Sequence, residues 1–170
     1  MNLRETILAT HSKVNCTQIV KWVSGNPQHF DELFNLFMND DALVRQRAAW
    51  PLSYAAIAHP GLVKKHLPHL LKNLSREKLH DAEKRNTVRL LQEIEIPKRF
   101  QGKLMSICFD YIGDLQEKAA VKAFSLTILQ NLSRQHPGIR QELKTIIDDR
   151  WDHESAAFRS RAKKILKEFS

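Results

Sequence analysis

The sequence predicts an all-α protein in which antiparallel helix pairs stack into a right-handed α-solenoid. One segment pattern recurs four times in the same register, and prolines introduce fresh apolar stripes between the copies. No window alternates apolar and polar residues for long enough to predict a β-strand. With 170 residues, 42% of them apolar, the chain is long enough for one ordinary core and short for two domains.

The recurring segment begins at residues 41, 81, 118 and 155, so successive starts lie 40, 37 and 37 residues apart. Its apolar positions follow the helical spacing i, i+4, i+7 and i+8, which indicates one buried helix face. Asp41 and Asp81 open the first two copies. Every copy carries a cation at the equivalent place: Arg45, Arg85, Lys122 and Arg159. The segment therefore predicts the first helix of a repeating pair.

The second helix of each pair is predicted to begin near a proline, because proline suits the first turn of a helix. These prolines are Pro27, Pro60, Pro97 and Pro137. The stripes after the last three are Val63, Leu67, Leu70 and Leu74; Phe100, Leu104, Ile107 and Tyr111; and Ile139, Leu143, Ile146 and Trp151. His-Pro-Gly occurs at 59–61 and 136–138, the same place in two repeats. We interpret this segment as the start of a second helix and not as half of a metal site.

The frame of Asp41, Val44, Arg45 and Ala48, together with the period near 38 residues, resembles the HEAT repeat family. Pro51 stands where first helices of that family commonly kink. The resemblance implies an α-solenoid of HEAT-like helix pairs that binds partners on its second-helix surface, usually the concave one.

The chain is accordingly predicted to be a single HEAT-like domain over residues 1–170. We assign 1–40 to a degenerate N-terminal cap repeat, because it lacks the Asp and Arg of the frame. The predicted full repeats span 41–80, 81–117 and 118–154. Residues 155–170 are predicted to form a capping helix, with Phe158, Ala162, Ile165 and Phe169 on one face.

Composition indicates a reduced, soluble, cytoplasmic protein. The N-terminal residues have no apolar core of a secretory signal, and the longest nearly apolar stretch is interrupted by Pro51 and too short for a membrane. Cys16 and Cys108 are predicted to be free and buried. The net charge of +8 belongs to the body of the protein, since residues 1–40 contribute −1 and residues 41–170 contribute +9.

No motif indicates an enzyme, a cofactor or a small-molecule substrate. His66 and His69 are spaced for one metal, but no third ligand accompanies them, so no metal site is predicted. Asp148 and Asp149 are adjacent and point about 100° apart on a helix, so they cannot face one substrate. There is no glycine-rich phosphate loop.

The repeated cations and the opening aspartates are interpreted as structure. In a stack of repeats, equivalent side chains lie beside each other, and the resemblance to HEAT repeats implies an inter-repeat charge ladder. The predicted ladder consists of Asp41, Arg45, Asp81, Arg85, Lys122 and Arg159.

The remaining cations of the second helices form the candidate binding surface. They are Lys65, His69, Lys72, Arg76, Arg99, Lys103, Arg140 and Lys144. A basic surface attracts an acidic protein or a phosphate backbone, and the alternative is a merely solubilising face. The prediction is a non-catalytic scaffold that binds an acidic protein partner.

Nucleic-acid binding is the alternative function. The alkylpurine DNA glycosylases are also built from HEAT-like repeats around a basic groove, and the chain shows a weaker similarity to them. That family works with an Asp held near tryptophans. Trp22, Trp50 and Trp151 are present, but no Asp shares a helical face with any of them, so no catalytic residue is carried over.

Overall fold

The computed structural model describes residues 1–170 and contains helices and turns but no β-strand, which confirms the predicted all-α fold class. The α-helices are α1 (Leu3–Ala9), α2 (Lys13–Val23), α3 (Pro27–Asn39), α4 (Ala42–Ala58), α5 (Pro60–Val63), α6 (Leu67–Leu74), α7 (Asp81–Gln92), α8 (Lys98–Gly113), α9 (Ala119–Ser133), α10 (Arg140–Arg150) and α11 (Ala156–Phe169). Short 3₁₀ turns span Lys64–His66, Pro137–Ile139 and Trp151–His153. The chain divides into two compact units, Met1–Ile94 and Glu95–Ser170.

The first helices begin where the repeated frame places them. Helices α4, α7, α9 and α11 start within one residue of positions 41, 81, 118 and 155. Asp41 caps α4 by accepting a hydrogen bond from the Val44 N–H at 3.1 Å, and Ser155 caps α11 through the Phe158 N–H at 3.2 Å. These caps satisfy donors that a helix start leaves unpaired. The division of the chain into repeats stays a prediction.

The prolines act in two ways. Pro27 and Pro60 occupy the first turns of α3 and α5, and Pro97 is the N-cap of α8, as the sequence predicts. Pro68, by contrast, divides the second helix of its pair, because it has no N–H to donate to the carbonyl of Lys64. The helix therefore consists of α5, a 3₁₀ turn and α6.

The core of unit 1 is centred on α4, which packs against α1, α2, α3, α5 and α7. Its buried side chains are mostly small, so neighbouring helices approach closely. They are Val44, Ala48, Ala49, Pro51, Leu52, Ser53, Ala55 and Ala56. The stripe of Val63, Leu67, Leu70 and Leu74 is buried as predicted.

The core of unit 2 is centred on α9, which packs against α8 and α11. Phe158, Ala162 and Ile165 of α11 are fully buried. The stripe predicted for the last second helix is partly wrong, because Ile147 is buried while Ile146 and Trp151 are only half-buried. Helix α10 ends at Arg150, and Trp151 begins a 3₁₀ turn, so the α-helical spacing does not continue to that residue.

Both cysteines are free and buried, as predicted. Burial disfavours the thiolate, and it raises the pKa of Cys16 to about 11 and that of Cys108 to about 12. Neither thiol is therefore an activated nucleophile.

The two His-Pro-Gly segments adopt nearly the same backbone conformation. His59 has φ −134° and ψ 71°, and His136 has φ −127° and ψ 68°. The His59 ring packs over Gly25, at 3.3 Å from the position that a Cβ would occupy. His136 Nε2 lies 2.6 Å from Oε1 of the buried Gln101. Each histidine thus packs within its own unit.

Two of the repeated cations make ion pairs between helices. Arg45 of α4 donates to Glu83 of α7 at 3.2 Å and to the Asp40 carbonyl at 2.8 Å. Asp41 pairs instead with Arg4 of α1, at 2.8 Å. The carboxylate opposite Arg45 is therefore Glu83, within the first turn of α7, and not Asp81.

Lys122 is buried, with 3% of its side chain exposed, so it differs from an ordinary surface ladder residue. Its Nζ lies 2.7 Å from Oε1 of Glu154, whose side chain is 5% exposed. Arg150 donates to the same oxygen through Nε at 3.1 Å and Nη2 at 2.7 Å. Glu154 thus pairs with two cations and links the end of α10 to α9.

Glu154→Ala should lower the free energy of unfolding by about 3–5 kcal/mol, because it leaves the buried Lys122 charge without a partner. Glu168→Ala is the matched control, since Glu168 pairs with an arginine, Arg134, that is 55% exposed. That change should cost about 0–1 kcal/mol. Urea denaturation of both variants measures the difference, and equal losses would contradict the structural role of the buried pair.

Gly25→Ala should lower the free energy of unfolding by about 1–2 kcal/mol, because Gly25 has a left-handed backbone with φ +78° and faces the His59 ring. Gly61→Ala is the control, since its Cβ would meet no atom within 4 Å. It should be neutral or stabilising by about 0.5–1 kcal/mol. Thermal and urea unfolding compare the two; a Gly61→Ala variant as damaged as Gly25→Ala would refute this account of the turn.

Candidate binding surface

The cations predicted to form the binding surface differ in their surroundings. Lys65, His69, Lys72 and Arg76 are exposed in unit 1. In unit 2 Arg99 and Lys103 are exposed, whereas Arg140 and Lys144 are half-buried. Each unit therefore presents its own group of cations from second helices.

Lys65 is neutralised within the protein. Its Nζ lies 2.7 Å from Oδ2 of Asp31 on α3, and His66 Nε2 lies 2.7 Å from the other carboxylate oxygen. The hydrogen bond from Lys65 lowers the pKa of Asp31, and burial lowers that of His66, which stacks on Phe34. His66 therefore faces α3, whereas His69 is exposed to solvent. The two histidines lie in different environments.

The other three side chains of this group line an open groove of about 450 Å³ between the end of α3 and α6, which we call the basic groove. Its lining residues are Met38, His69, Lys72, Asn73, Ser75 and Arg76. The side chains of His69, Lys72 and Arg76 make no hydrogen bond or ion pair, and no carboxylate lines the groove. The groove therefore offers positive charge to an incoming anion.

Asn73 is the least expected member of the basic groove. Only 2% of the residue is exposed, and neither Nδ2 nor Oδ1 has a hydrogen-bond partner. An unpaired buried polar group costs about 1–3 kcal/mol, so nearly all such groups in proteins are satisfied. Sequence reasoning missed this residue, although a polar residue between Leu71 and Leu74 at the edge of an apolar stripe was a visible signal.

In unit 2 the arginines lie over aromatic rings. The Arg99 guanidinium lies 4.6 Å from the centre of the Phe100 ring, and that of Arg140 lies 5.1 Å from the Phe169 ring. Arg140 Nε is buried without a partner. These contacts hold the guanidinium groups, whereas Lys103 and Lys144 make no ion pair.

Two members of the predicted ladder are placed differently from Arg45 and Lys122. Arg85 is exposed and Arg159 is half-buried, and neither makes a hydrogen bond or an ion pair. Arg85 lines a second cleft of unit 1 together with Trp50 and Tyr54. The sequence analysis assigned no binding role to either aromatic residue.

No group of three or more His, Cys, Asp or Glu side chains lies close enough to hold a metal ion. None of the helices combines the length and the apolar character that a membrane span requires. The unpaired side chains of the basic groove can bind an anion through charge and hydrogen bonds.

Comparison with known proteins identifies the family of the chain. A family model for the HEAT repeat domain matches residues 3–169. No curated protein and no solved structure matches the chain. The family match gives no support to the weaker similarity to DNA glycosylases. HEAT repeat domains are helical scaffolds that typically mediate protein interactions and are generally not catalytic. With its repeated frame, its helix pairs and a family match over nearly its whole length, the chain belongs to the HEAT repeat family.

Proposed function

We propose that this chain is a non-catalytic, cytoplasmic binding module that holds an acidic protein partner on its second-helix surface, with the basic groove as the principal contact. The observation that carries the proposal is the unpaired amide of Asn73 beside three cationic or ionisable side chains without partners. Free thiols in both units suit a reducing compartment.

The amide of Asn73 favours a peptide over a phosphate backbone. Its Nδ2 is a donor and its Oδ1 is an acceptor, both covered in the free protein, so on turning toward the groove they would match the C=O and N–H of one peptide group. A phosphate group offers only acceptors and would leave Oδ1 unpaired. Lys72 and Arg76 would meet carboxylates on either side of that peptide group, and charge-assisted hydrogen bonds of this kind are among the strong ones.

The cations of unit 2 also support an acidic partner. Arg99, Lys103, Arg140 and Lys144 add positive charge that speeds association with an acidic protein. Charges outside the direct contact change the rate of association more than the final affinity. The groove of unit 1 therefore determines which segment binds, and the remaining cations determine how fast it is found.

Reversing the charge at Lys72 and Arg76 together should abolish partner binding while leaving the melting temperature unchanged, because both side chains are exposed and unpaired. The control reverses Lys163 and Lys164, which are exposed on α11 and give the same change in net charge. The measurement is affinity capture at about 50 and 200 mM salt with quantitative mass spectrometry, followed by titration of the purified partner.

Asn73→Leu supplies the second arm. Replacing an unpaired buried amide with an apolar side chain should leave the free energy of unfolding equal or higher. It should nevertheless weaken binding of the partner by about tenfold or more. Loss of stability with unchanged binding would show that Asn73 serves the core alone. Capture of nucleic acid, removable by nuclease and dependent on Lys72 and Arg76, would favour the nucleic-acid alternative.

A further inference from the structure

A second cleft of unit 1 lies on the first-helix side, between α4 and α7. It has a volume of about 270 Å³, and we call it the aromatic cleft. Its lining residues are His11, Gln46, Trp50, Tyr54, Ala82, Arg85, Asn86 and Arg89. Gln46, Trp50 and Tyr54 are spaced four residues apart and therefore share one face of α4. Arg85 and Arg89 have the same spacing on α7. Each wall of the cleft is therefore formed by residues on one face of a single helix.

The floor of the aromatic cleft is fixed by buried polar contacts. Asn86, of which 3% is exposed, donates to the Ala82 carbonyl at 2.8 Å and lies 3.4 Å from the Ser53 hydroxyl of α4. Its Oδ1 also accepts a hydrogen bond from Arg89 at 3.0 Å. The Arg89 guanidinium lies 5.8 Å from the centre of the Tyr54 ring. A wall held in this way loses little conformational entropy when a ligand binds.

Several donors in the aromatic cleft have no partner in the protein. Arg85 makes no hydrogen bond or ion pair, and neither the indole N–H of Trp50 nor the side chain of Gln46 makes a hydrogen bond. Tyr54 is 46% exposed, so its ring is not needed by the core. No Asp or Glu lines the cleft. The site therefore combines positive charge, free donors and uncovered aromatic surface.

The residue types indicate a protein segment as the occupant. Trp, Tyr and Arg are the residues that dominate binding energy in protein interfaces. The planar guanidinium of Arg85 matches a carboxylate, which it can bind through two parallel hydrogen bonds. The volume is below that of ordinary small-molecule sites, and it suits one or two side chains of a longer segment.

The geometry of the rings disfavours single-stranded nucleic acid. Such ligands stack successive bases on exposed aromatic faces. The rings of Trp50 and Tyr54 are inclined at 47° with centroids 6.4 Å apart, and the His11 ring meets Trp50 edge-on at 5.5 Å. The Arg89 guanidinium already lies over the Tyr54 ring. The two walls therefore offer no common stacking plane, whereas apolar side chains pack against inclined rings without difficulty.

We propose that the aromatic cleft is a docking site for an acidic protein segment, in which a carboxylate binds Arg85 and a neighbouring apolar side chain packs on Trp50 and Tyr54. This site lies apart from the basic groove and uses none of its residues. It adds a second recognition element on the first-helix side of the same unit, where apolar contact and charge act together.

The test uses the whole 170-residue protein and a random library of 12-residue peptides displayed on phage, with depletion against the Arg85→Glu variant. The retained peptides should combine Asp or Glu with an aromatic or branched apolar residue. Synthetic copies of these peptides should bind the wild-type protein in calorimetry. Arg85→Glu and Tyr54→Ala should each weaken that binding by tenfold or more. Lys163→Glu is the matched control, since Lys163 is exposed on α11, outside both clefts, and gives the same kind of charge reversal. Arg76→Glu reports whether the peptides bind the basic groove instead.

Tryptophan fluorescence locates the peptide. The chain has three tryptophans, and replacing Trp22 and Trp151 by Phe leaves Trp50 as the only indole. Emission of that variant should shift when the peptide is added. Because Arg85 and Tyr54 are exposed, the thermal melts of their variants should match wild type.

Four outcomes would overturn the proposal. The selection could retain no peptide that depends on Arg85, or it could retain peptides without acidic residues. A twelve-residue oligothymidine could bind with the same dependence on Arg85 and change Trp50 emission, which would assign the cleft to nucleic acid. Peptides that depend on Arg76 but not on Arg85 would refute the aromatic cleft and leave the basic groove as the binding site.

Discussion

Close packing around one central helix is the constraint on which each unit depends. In unit 1 this helix is α4, which is in contact with five other helices. Small residues dominate its buried face, and Ala48, Ala55 and Ala56 are fully buried. A larger side chain at these places would force neighbouring helices apart, and overpacking of this kind typically costs about 1–3 kcal/mol. The positions of the basic groove and the aromatic cleft follow from this packing, since α3 and α7 pack against α4 and α6 packs against α7.

The same constraint determines where polar groups can be buried. Around α9 the buried ammonium of Lys122 is matched by Glu154, and the buried amide of Gln101 is matched by Ile96 O, Gln135 and His136. In these pairs each charge or amide has its partner, so removing one partner would be strongly destabilising. Asn73 departs from this rule at the edge of the basic groove. A departure of this kind at a surface groove is typical of a binding site, where stability is given up for recognition.

The two clefts of unit 1 differ in chemistry because different helices line them. Helices α3 and α6 line the basic groove, and α4 and α7 line the aromatic cleft. The basic groove has long cationic side chains and a single amide, and its charge acts at a distance. The aromatic cleft has rings on α4 and guanidinium groups on α7, and its contacts are short and directional. Under the two proposals, charge would draw an acidic partner in and aromatic contact would select its sequence.

The periodic pattern was sufficient to predict the fold class, the starts of α4, α7, α9 and α11, and the buried stripe from Val63 to Leu74. These features depend on local spacing, and residues three or four apart on a helix share a face whatever surrounds them. The break at Pro68 was also visible in the sequence, since a proline removes one helical hydrogen bond.

Long-range packing decided the rest. Arg45 and Arg85 occupy equivalent positions in the repeat, yet Arg45 pairs with Glu83 whereas Arg85 faces an open cleft. Lys122, at the same position, is buried against Glu154, 32 residues away. The partner of a long side chain depends on which helix packs beside it, and neither helix spacing nor composition contains that information. For the same reason only the tertiary structure brings Trp50, Tyr54 and Arg85 together, and only the burial of α6 leaves the amide of Asn73 without a partner.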